Sequence, residues 1–62
     1  MEIGFIYKFR PTDNDNDIQW IVITDLRNNA ITGALQAIGF NLSDATDIRR
    51  INQEFWPWWE KQ

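Results

Sequence analysis

Five consecutive residues near the C-terminus, Phe55-Trp56-Pro57-Trp58-Trp59, constrain the fold more than any other part of the chain. They contain three of the four tryptophans, and aromatic surface of this extent is costly to leave in water. The segment must either cover the domain's own core or be covered by a second molecule. Because four large rings around a proline can hardly all face inward, at least one ring is expected to stay exposed on the free monomer.

The small size of the chain limits how it can be stabilised. We expect one domain, residues 1–62, with residues 55–62 as an aromatic-rich tail. A domain of this length buries only roughly 60% of the surface that its unfolded chain exposes, so its stability is marginal. The sequence has no cysteine for a disulfide and no histidine, the commonest zinc ligand. Aromatic packing and self-association are the stabilising devices that remain.

The charge and the hydropathy of the chain limit the classes of partner and the cellular locations that we expect for it. A net charge of −3 argues against nonspecific binding to nucleic acid and to anionic membranes, both of which favour an excess of Lys and Arg. The longest strongly apolar run, residues 20–23, is far shorter than a membrane span. The N-terminal residues show no secretory signal pattern. We therefore expect a cytoplasmic protein, or one that acts in the cytoplasm of a host cell.

Two strands are predicted in the first half of the chain. In residues 3–9, Ile3, Phe5, Tyr7 and Phe9 alternate onto one face, and Pro11 stops the strand. Residues 18–24 are rich in β-branched residues and apolar on both faces, which is typical of a central strand. The short polar loop between them predicts an antiparallel hairpin.

The second half of the chain is predicted to be partly helical. Ile31, Leu35 and Ile38 form a stripe at helical spacing, which predicts a helix over residues 29–38 that ends at Gly39. Residues 44–54 fit either a third strand near residues 47–53 or a second helix that begins at Ser43. Since a hairpin with one helix is a weak unit, we favour the strand. The predicted fold is α+β in the order β-β-α-β, and β-β-α-α is the alternative.

Catalytic and metal-binding patterns are weak. The loop Asp13-Asn14-Asp15-Asn16-Asp17 spaces three carboxylates as a calcium loop does, but Ile18 and Thr24 occupy positions that such a loop gives to Gly and Glu. No spacing selects a pair of carboxylates for catalysis, and so small a domain seldom encloses a substrate pocket. We expect no enzymatic activity, no metal site and no cofactor.

The sequence instead favours a protein-binding module. Trp and Arg are enriched at binding hot spots, and both occur in the last third of the chain. The predicted partner-binding residues are Trp56, Trp58, Trp59 and Phe55 as apolar anchors, with Arg49 and Arg50 or the acidic loop for orientation. The partner would be a larger protein, and the module a stoichiometric inhibitor or adaptor. In general character the chain is similar to small proteins encoded by phages and other mobile elements, although no motif carries that resemblance.

Three alternatives remain open from the sequence. The tail is either a lid over the protein's own core or an interface. The protein is either a binding module of this kind or a small structural homo-oligomer that uses its spare aromatic residues at a subunit contact. A nucleic-acid mimic, which would present carboxylates to a basic groove, is a weaker third hypothesis because a net charge of −3 is small for that role.

Overall fold

A strand at the centre of the molecule organises the fold. In the computed structural model, which describes all 62 residues, β2 (Gln19–Asn28) is the middle strand of a five-stranded antiparallel sheet. Ile21 and Ile23 on this strand are fully buried. A strand that is apolar on both faces is typical of a central position in a sheet, and β2 has a hydrogen-bonded strand on each side. The predicted central position of this strand is confirmed.

The other strands extend the sheet outward from β2. They are β1 (Ile6–Phe9), β3 (Leu35–Asn41), β4 (Asp44–Asn52) and β5 (Trp59–Lys61). Their order across the sheet is β4-β3-β2-β1-β5. The hairpin of β1 and β2 is antiparallel, as predicted, and places Tyr7 opposite Ile21.

The register separates a covered face of the sheet from an open one. Opposite residues in an antiparallel pair share a face, so Tyr7, Ile21 and Ile51 lie on the same side. With Ile23 and Ala37 they form the buried core, against which Met1, Leu26, Trp56 and Trp59 pack. We call this side the core face. The opposite side, the open face, has no second layer and carries partly exposed apolar residues, namely Ile6, Trp20, Val22, Ile38, Phe40 and Ile48.

The predicted helix over residues 29–38 is wrong. Residues 29–34 form a turn in which the side-chain oxygen of Asn29 accepts hydrogen bonds from the backbone N–H groups of Ile31 and Thr32. Gly33, with φ of 73°, closes this turn through a bond from its N–H to the carbonyl oxygen of Asn29. Asparagine and glycine are the residues that such turns favour. Ile31, which was expected on the apolar helix face, is 95% exposed.

The predicted role of Gly39 as a helix terminus is also wrong. Gly39 lies inside β3, opposite Ile23, and it is buried. A β-carbon at this position would lie 2.3 Å from the carbonyl oxygen of Val22 and 2.7 Å from Cγ2 of Ile21. Only glycine therefore lets β3 approach β2 this closely. Leu35 and Phe40, which a helix would bring together, lie on opposite faces of the sheet.

The fold class changes accordingly. The molecule is mostly β, with two short 3₁₀ turns and no α-helix, so both α+β orders are contradicted. The helix considered from Ser43 onward is absent because residues 44–52 form β4, which pairs with β3 at Ile48–Asn52 and again at Asp44, with a register shift between them. The third strand predicted near residues 47–53 exists and begins earlier. In both segments, strand pairing between distant residues overrode the local helical spacing: β3 pairs with β2, and β4 pairs with β3.

The close approach at Gly39 generates a stability prediction. Replacing Gly39 by alanine is expected to destabilise the fold by about 1–3 kcal/mol, because the added methyl group overpacks the contact between β2 and β3. Urea unfolding followed by circular dichroism measures the change. The control is Gly33→Asn, since asparagine tolerates the left-handed backbone and the space around Gly33 is open. Equal stability of Gly39→Ala and the wild type would contradict the packing described.

Candidate protein-binding groove

The C-terminal segment folds back across the core face of the sheet. Residues Gln53–Trp58 form a 3₁₀ helix that contains Pro57, and Trp59–Lys61 then pair with β1 as β5. Proline has no N–H to donate, which interrupts the alternation that a continuous strand would require. The four large rings of the tail consequently point in different directions.

Trp56 is the lid of the core. Its ring is half-buried against the core cluster. The indole N–H donates a hydrogen bond of 2.9 Å to the carbonyl oxygen of Ile51. A buried indole normally finds such a partner, and here it holds the 3₁₀ helix against β4. Of the two roles that the sequence left open for the tail, lid or interface, Trp56 has the role of a lid over the core.

Trp59 joins the tail to the first strand. It lies opposite Phe9 in the pairing of β1 with β5, and the two ring centroids are 4.9 Å apart in a tilted arrangement. That geometry is favourable for aromatic pairs. Trp59 also packs against the core cluster, so part of its ring supports the fold and part remains accessible.

Two rings of the tail are exposed. Phe55 is 48% exposed and Trp58 is 60% exposed. Their ring centroids are 6.0 Å apart, so they form one apolar surface instead of two separate side chains. The expectation that at least one ring stays exposed on the monomer is confirmed.

The exposed rings border a groove on the core face. The groove has a volume of about 630 Å³, within the range of natural ligand and peptide pockets. Its lining residues are Phe9, Arg10, Pro11, Gln19, Arg49, Arg50, Ile51, Phe55, Trp58 and Trp59. Three of them are arginines and none is a carboxylate, so the groove is locally basic on a chain of net charge −3.

Hydrogen bonds hold two of these arginines in place. Arg10 forms an ion pair of 2.6 Å with Asp15 in the loop after β1. The guanidinium of Arg49 donates to Asp47 at 3.0 Å and to the side-chain oxygen of Gln19 at 3.1 Å. Arg50 is exposed and forms no ion pair within the chain. Because Arg50 lies opposite Ile38, its side chain leaves β4 toward the open face, and its charge is free to meet a partner at this edge of the groove.

The ion pair on β4 shifts the titration of both partners. The hydrogen bond from Arg49 holds the pKa of Asp47 below its usual value, partial burial opposes this, and a 3.4 Å bond from the amide of Asn41 assists it. The same contact with Asp47 raises the pKa of Arg49. Both effects favour the charged forms and therefore a fixed orientation of the Arg49 side chain.

The structure brings together most of the residues predicted from the sequence. Phe55, Trp58, Trp59, Arg49 and Arg50 all line the groove, whereas Trp56 faces the core instead. The acidic loop does not line it, because Arg10 and Thr12 bind two of its carboxylates, those of Asp15 and Asp17.

Sequence reasoning missed half of the groove. Phe9, Arg10 and Pro11 at the end of β1, Gln19 on β2, and Ile51 complete its lining. The only signal in the sequence was the alternation that places Phe9 on the core face. The proximity of these five residues to the tail depends on the pairing of β5 with β1, which no local pattern predicts.

The groove has the chemistry to bury an apolar side chain of a partner and to bind a carboxylate next to that side chain. The rings of Phe9, Phe55, Trp58 and Trp59 offer aromatic surface, and the arginine guanidinium groups offer hydrogen-bond donors at its border. Arginine binds carboxylates well because its planar donors match both oxygens.

No known protein-family model, curated protein or solved structure matches this chain significantly. Separately, none of the helical segments has the length and apolar character needed to cross a membrane.

The two roles of the tail tryptophans can be separated by mutation. Trp56→Ala is expected to cost about 2–4 kcal/mol, because it opens the core and leaves the carbonyl oxygen of Ile51 without its donor. Trp58→Ala, at an exposed position, is expected to change stability by no more than about 0.5 kcal/mol. Urea unfolding measures both. If Trp56→Ala leaves the domain too unstable to study, Trp56→Phe keeps most of the ring and tests the hydrogen bond alone. Equal losses for Trp56→Ala and Trp58→Ala would contradict the assignment.

The lowered pKa of Asp47 predicts a specific acid dependence. The ionised carboxylate favours the folded state, so its contribution is complete above pH about 3.9, the usual Asp pKa, and is lost as the pH falls through the folded-state value. In an NMR titration, the midpoint of the Asp47 side-chain carboxyl signal should lie below that of an unfolded Asp. In the Arg49→Gln variant, this midpoint should rise toward the unfolded value. A midpoint at or above about 3.9 in the wild type would refute the prediction.

Proposed function

We propose that this protein is a non-enzymatic protein-binding module that covers a site on a larger protein through its aromatic groove. The observation that carries the proposal is the pair of exposed rings, Phe55 and Trp58, at the border of a groove that also presents three arginines. Neither ring contributes to the buried core. Their exposure costs free energy on the monomer, which a partner would recover by covering them.

The groove suggests the chemistry of the partner segment. An aliphatic or aromatic side chain would enter between Phe9 and Trp58, and a neighbouring Asp or Glu would meet Arg50 at the border. Arg50 suits this role because it has no ion pair to give up. Arg49 is already oriented by Asp47 and Gln19, so binding would cost little side-chain entropy there.

The size of the domain favours stoichiometric action. A standard protein interface buries roughly 800 Å² on each partner, and the whole domain exposes 4396 Å². One such interface would occupy roughly a fifth of its surface, including the groove and the exposed rings. A domain this small acts by occluding or bridging surfaces, so we propose an inhibitor or adaptor role in the cytoplasm, with a host-cell protein as the target if a mobile element encodes it.

A quantitative pull-down with three baits tests the proposal. The baits are the wild type, the double variant Phe55→Ala/Trp58→Ala, and Ile31→Ala as a matched control. Ile31 is 95% exposed and lies in the turn of residues 29–34, remote in sequence from the tail and absent from the groove lining. Circular dichroism first establishes that all three baits are folded.

The expected result is a protein that the wild type and Ile31→Ala retain equally and that the double variant loses at least about tenfold, as removal of two hot-spot rings should cause. Titration calorimetry with that protein, once purified, should then show weaker binding by Arg50→Gln, and weaker binding at higher salt. If the folded double variant retains the same proteins as the wild type, the groove is not the binding site.

A further inference from the structure

Four residues of the open face form one apolar row across the sheet. Ile6 lies opposite Val22, Val22 opposite Phe40, and Phe40 opposite Ile48. These pairings belong to the regular parts of the ladders, outside both register shifts, so the four side chains point to the same face. Ile48 is 58% exposed and the other three are partly exposed. The row therefore leaves apolar surface in water at the centre of the face that has no second layer.

The edges of the sheet are less suited to bind another chain than this face. β5 is only three residues long. The pairing of β3 with β4 is irregular next to Asn41, and near the start of β4 the N–H of Thr46 is bonded to the side chain of Asp44. Short strands and bulges at an edge discourage its pairing with a further strand. The open face is the larger unsatisfied surface, because a sheet normally packs against a second layer.

We propose that a second copy of this chain covers the open face, so that the two sheets pack face to face about a two-fold axis that lies between them and follows the apolar row. Sheets packed in this way lie about 10 Å apart, with their strands within about 30° of each other. Each residue of the row then meets its counterpart, and Trp20 and Ile38 add apolar surface beside the row. The proposal is independent of the groove, which lies on the core face.

Charge complementarity selects this axis. Lys8 and Asp25 lie on opposite sides of the row, since Lys8 is opposite Trp20 and Asp25 is opposite Ile38. The ammonium of Lys8 lies 5.3 Å from the centre of the Trp20 ring and forms no ion pair within the chain. A two-fold axis along the row exchanges its two sides, so Asp25 of each copy faces Trp20 and the Lys8 ammonium of the other. Asp25 also pairs with Arg27, and its carboxylate has acceptor sites left for a second cation.

A two-fold axis parallel to the strands is unfavourable for the same charges. It would keep each side of the row against the same side of the other copy. Centred on β2, it would set Asp25 against Asp25 of the second copy, and centred between β2 and β3 it would set Asp25 against Ile38. Either contact would bury a carboxylate without a new cation, which costs free energy.

The open face is large enough for a dimer interface. The sheet is five strands wide, at about 4.8 Å per strand, and β2 is 10 residues long. The face therefore measures several hundred Å², comparable with the roughly 800 Å² of accessible surface that a standard interface buries on each partner. The dimer would give each sheet the second layer that the monomer lacks, and both grooves would stay accessible on its outer sides.

Variants of Ile48 test the two-fold axis. Because Ile48 is exposed, Ile48→Lys and Ile48→Glu should fold, which circular dichroism checks. Each variant alone sets like charges against each other across the axis, so it should dissociate at least about tenfold more readily than the wild type. Their equimolar mixture should form a heterodimer. Sedimentation equilibrium measures association from micromolar concentrations to about 1 mM, and native mass spectrometry identifies the heterodimer.

A second pair of variants separates packing of the faces from pairing of the β4 edges. Lys8→Glu and Asp25→Lys lie on β1 and β2, away from that edge. Each alone should weaken the dimer, and their mixture should restore association, because both contacts then join opposite charges. The groove variant Phe55→Ala/Trp58→Ala is the control and should dimerise as the wild type does.

Three results would overturn the proposal. The first is a wild type that stays monomeric up to about 1 mM. The second is a dimer that the groove variant loses, since the tail rings would then form the contact. The third is a failure of the folded, complementary variants to associate on mixing. If the members of one pair do not fold, the other pair carries the test.

Discussion

The structure depends on the closure of one face of a single sheet by the tail of the same chain. Five strands expose two apolar faces, and the chain has no α-helix to cover either of them. The 3₁₀ helix Gln53–Trp58 supplies the cover for one face, with Trp56 packed on the core and hydrogen-bonded to Ile51. Without that cover the few fully buried residues would lose much of their shielding from water.

The same closure creates the candidate binding site. The 3₁₀ helix and β5 cover only part of the core face, and the remaining part forms the groove between the tail rings and the strand ends. Because a 3₁₀ helix has three residues per turn, Trp56 and Trp58 point in different directions, and Trp56 enters the core while Trp58 remains exposed. Core packing and solvent exposure are thus divided between neighbouring tryptophans. This division explains why the sequence left two interpretations open for one segment: Trp56 covers the core, whereas Phe55 and Trp58 stay exposed.

The exposed apolar surfaces of the molecule follow from its construction as a single sheet. A domain with two layers hides most of its apolar surface, whereas a single sheet keeps an open face, a free edge and a partly covered core face. The groove on the partly covered core face combines aromatic surface with arginine at its border.

The sequence predicted well where the pattern was local and strong. Alternation and β-branched residues identified β1, β2 and their antiparallel pairing, and the concentration of rings at residues 55–59 identified much of the groove. It failed at residues 29–38, where the spacing of Ile31, Leu35 and Ile38 matches that of a helix only by coincidence. Asn29 and Gly33 form a turn there, and Gly39 accommodates a close strand contact that no local pattern reveals.

By itself, the sequence therefore determined the central strand, the aromatic tail and the exposure of at least one of its rings, because these follow from hydrophobicity and steric volume. The tertiary structure decided that Leu35–Asn41 is a strand, that β5 pairs with β1, and that Arg49 lies beside the tail. Each of these is a contact between segments distant in the chain. Such contacts are chosen by how well whole strands pack and pair, and short-range residue spacing contains little information about that choice.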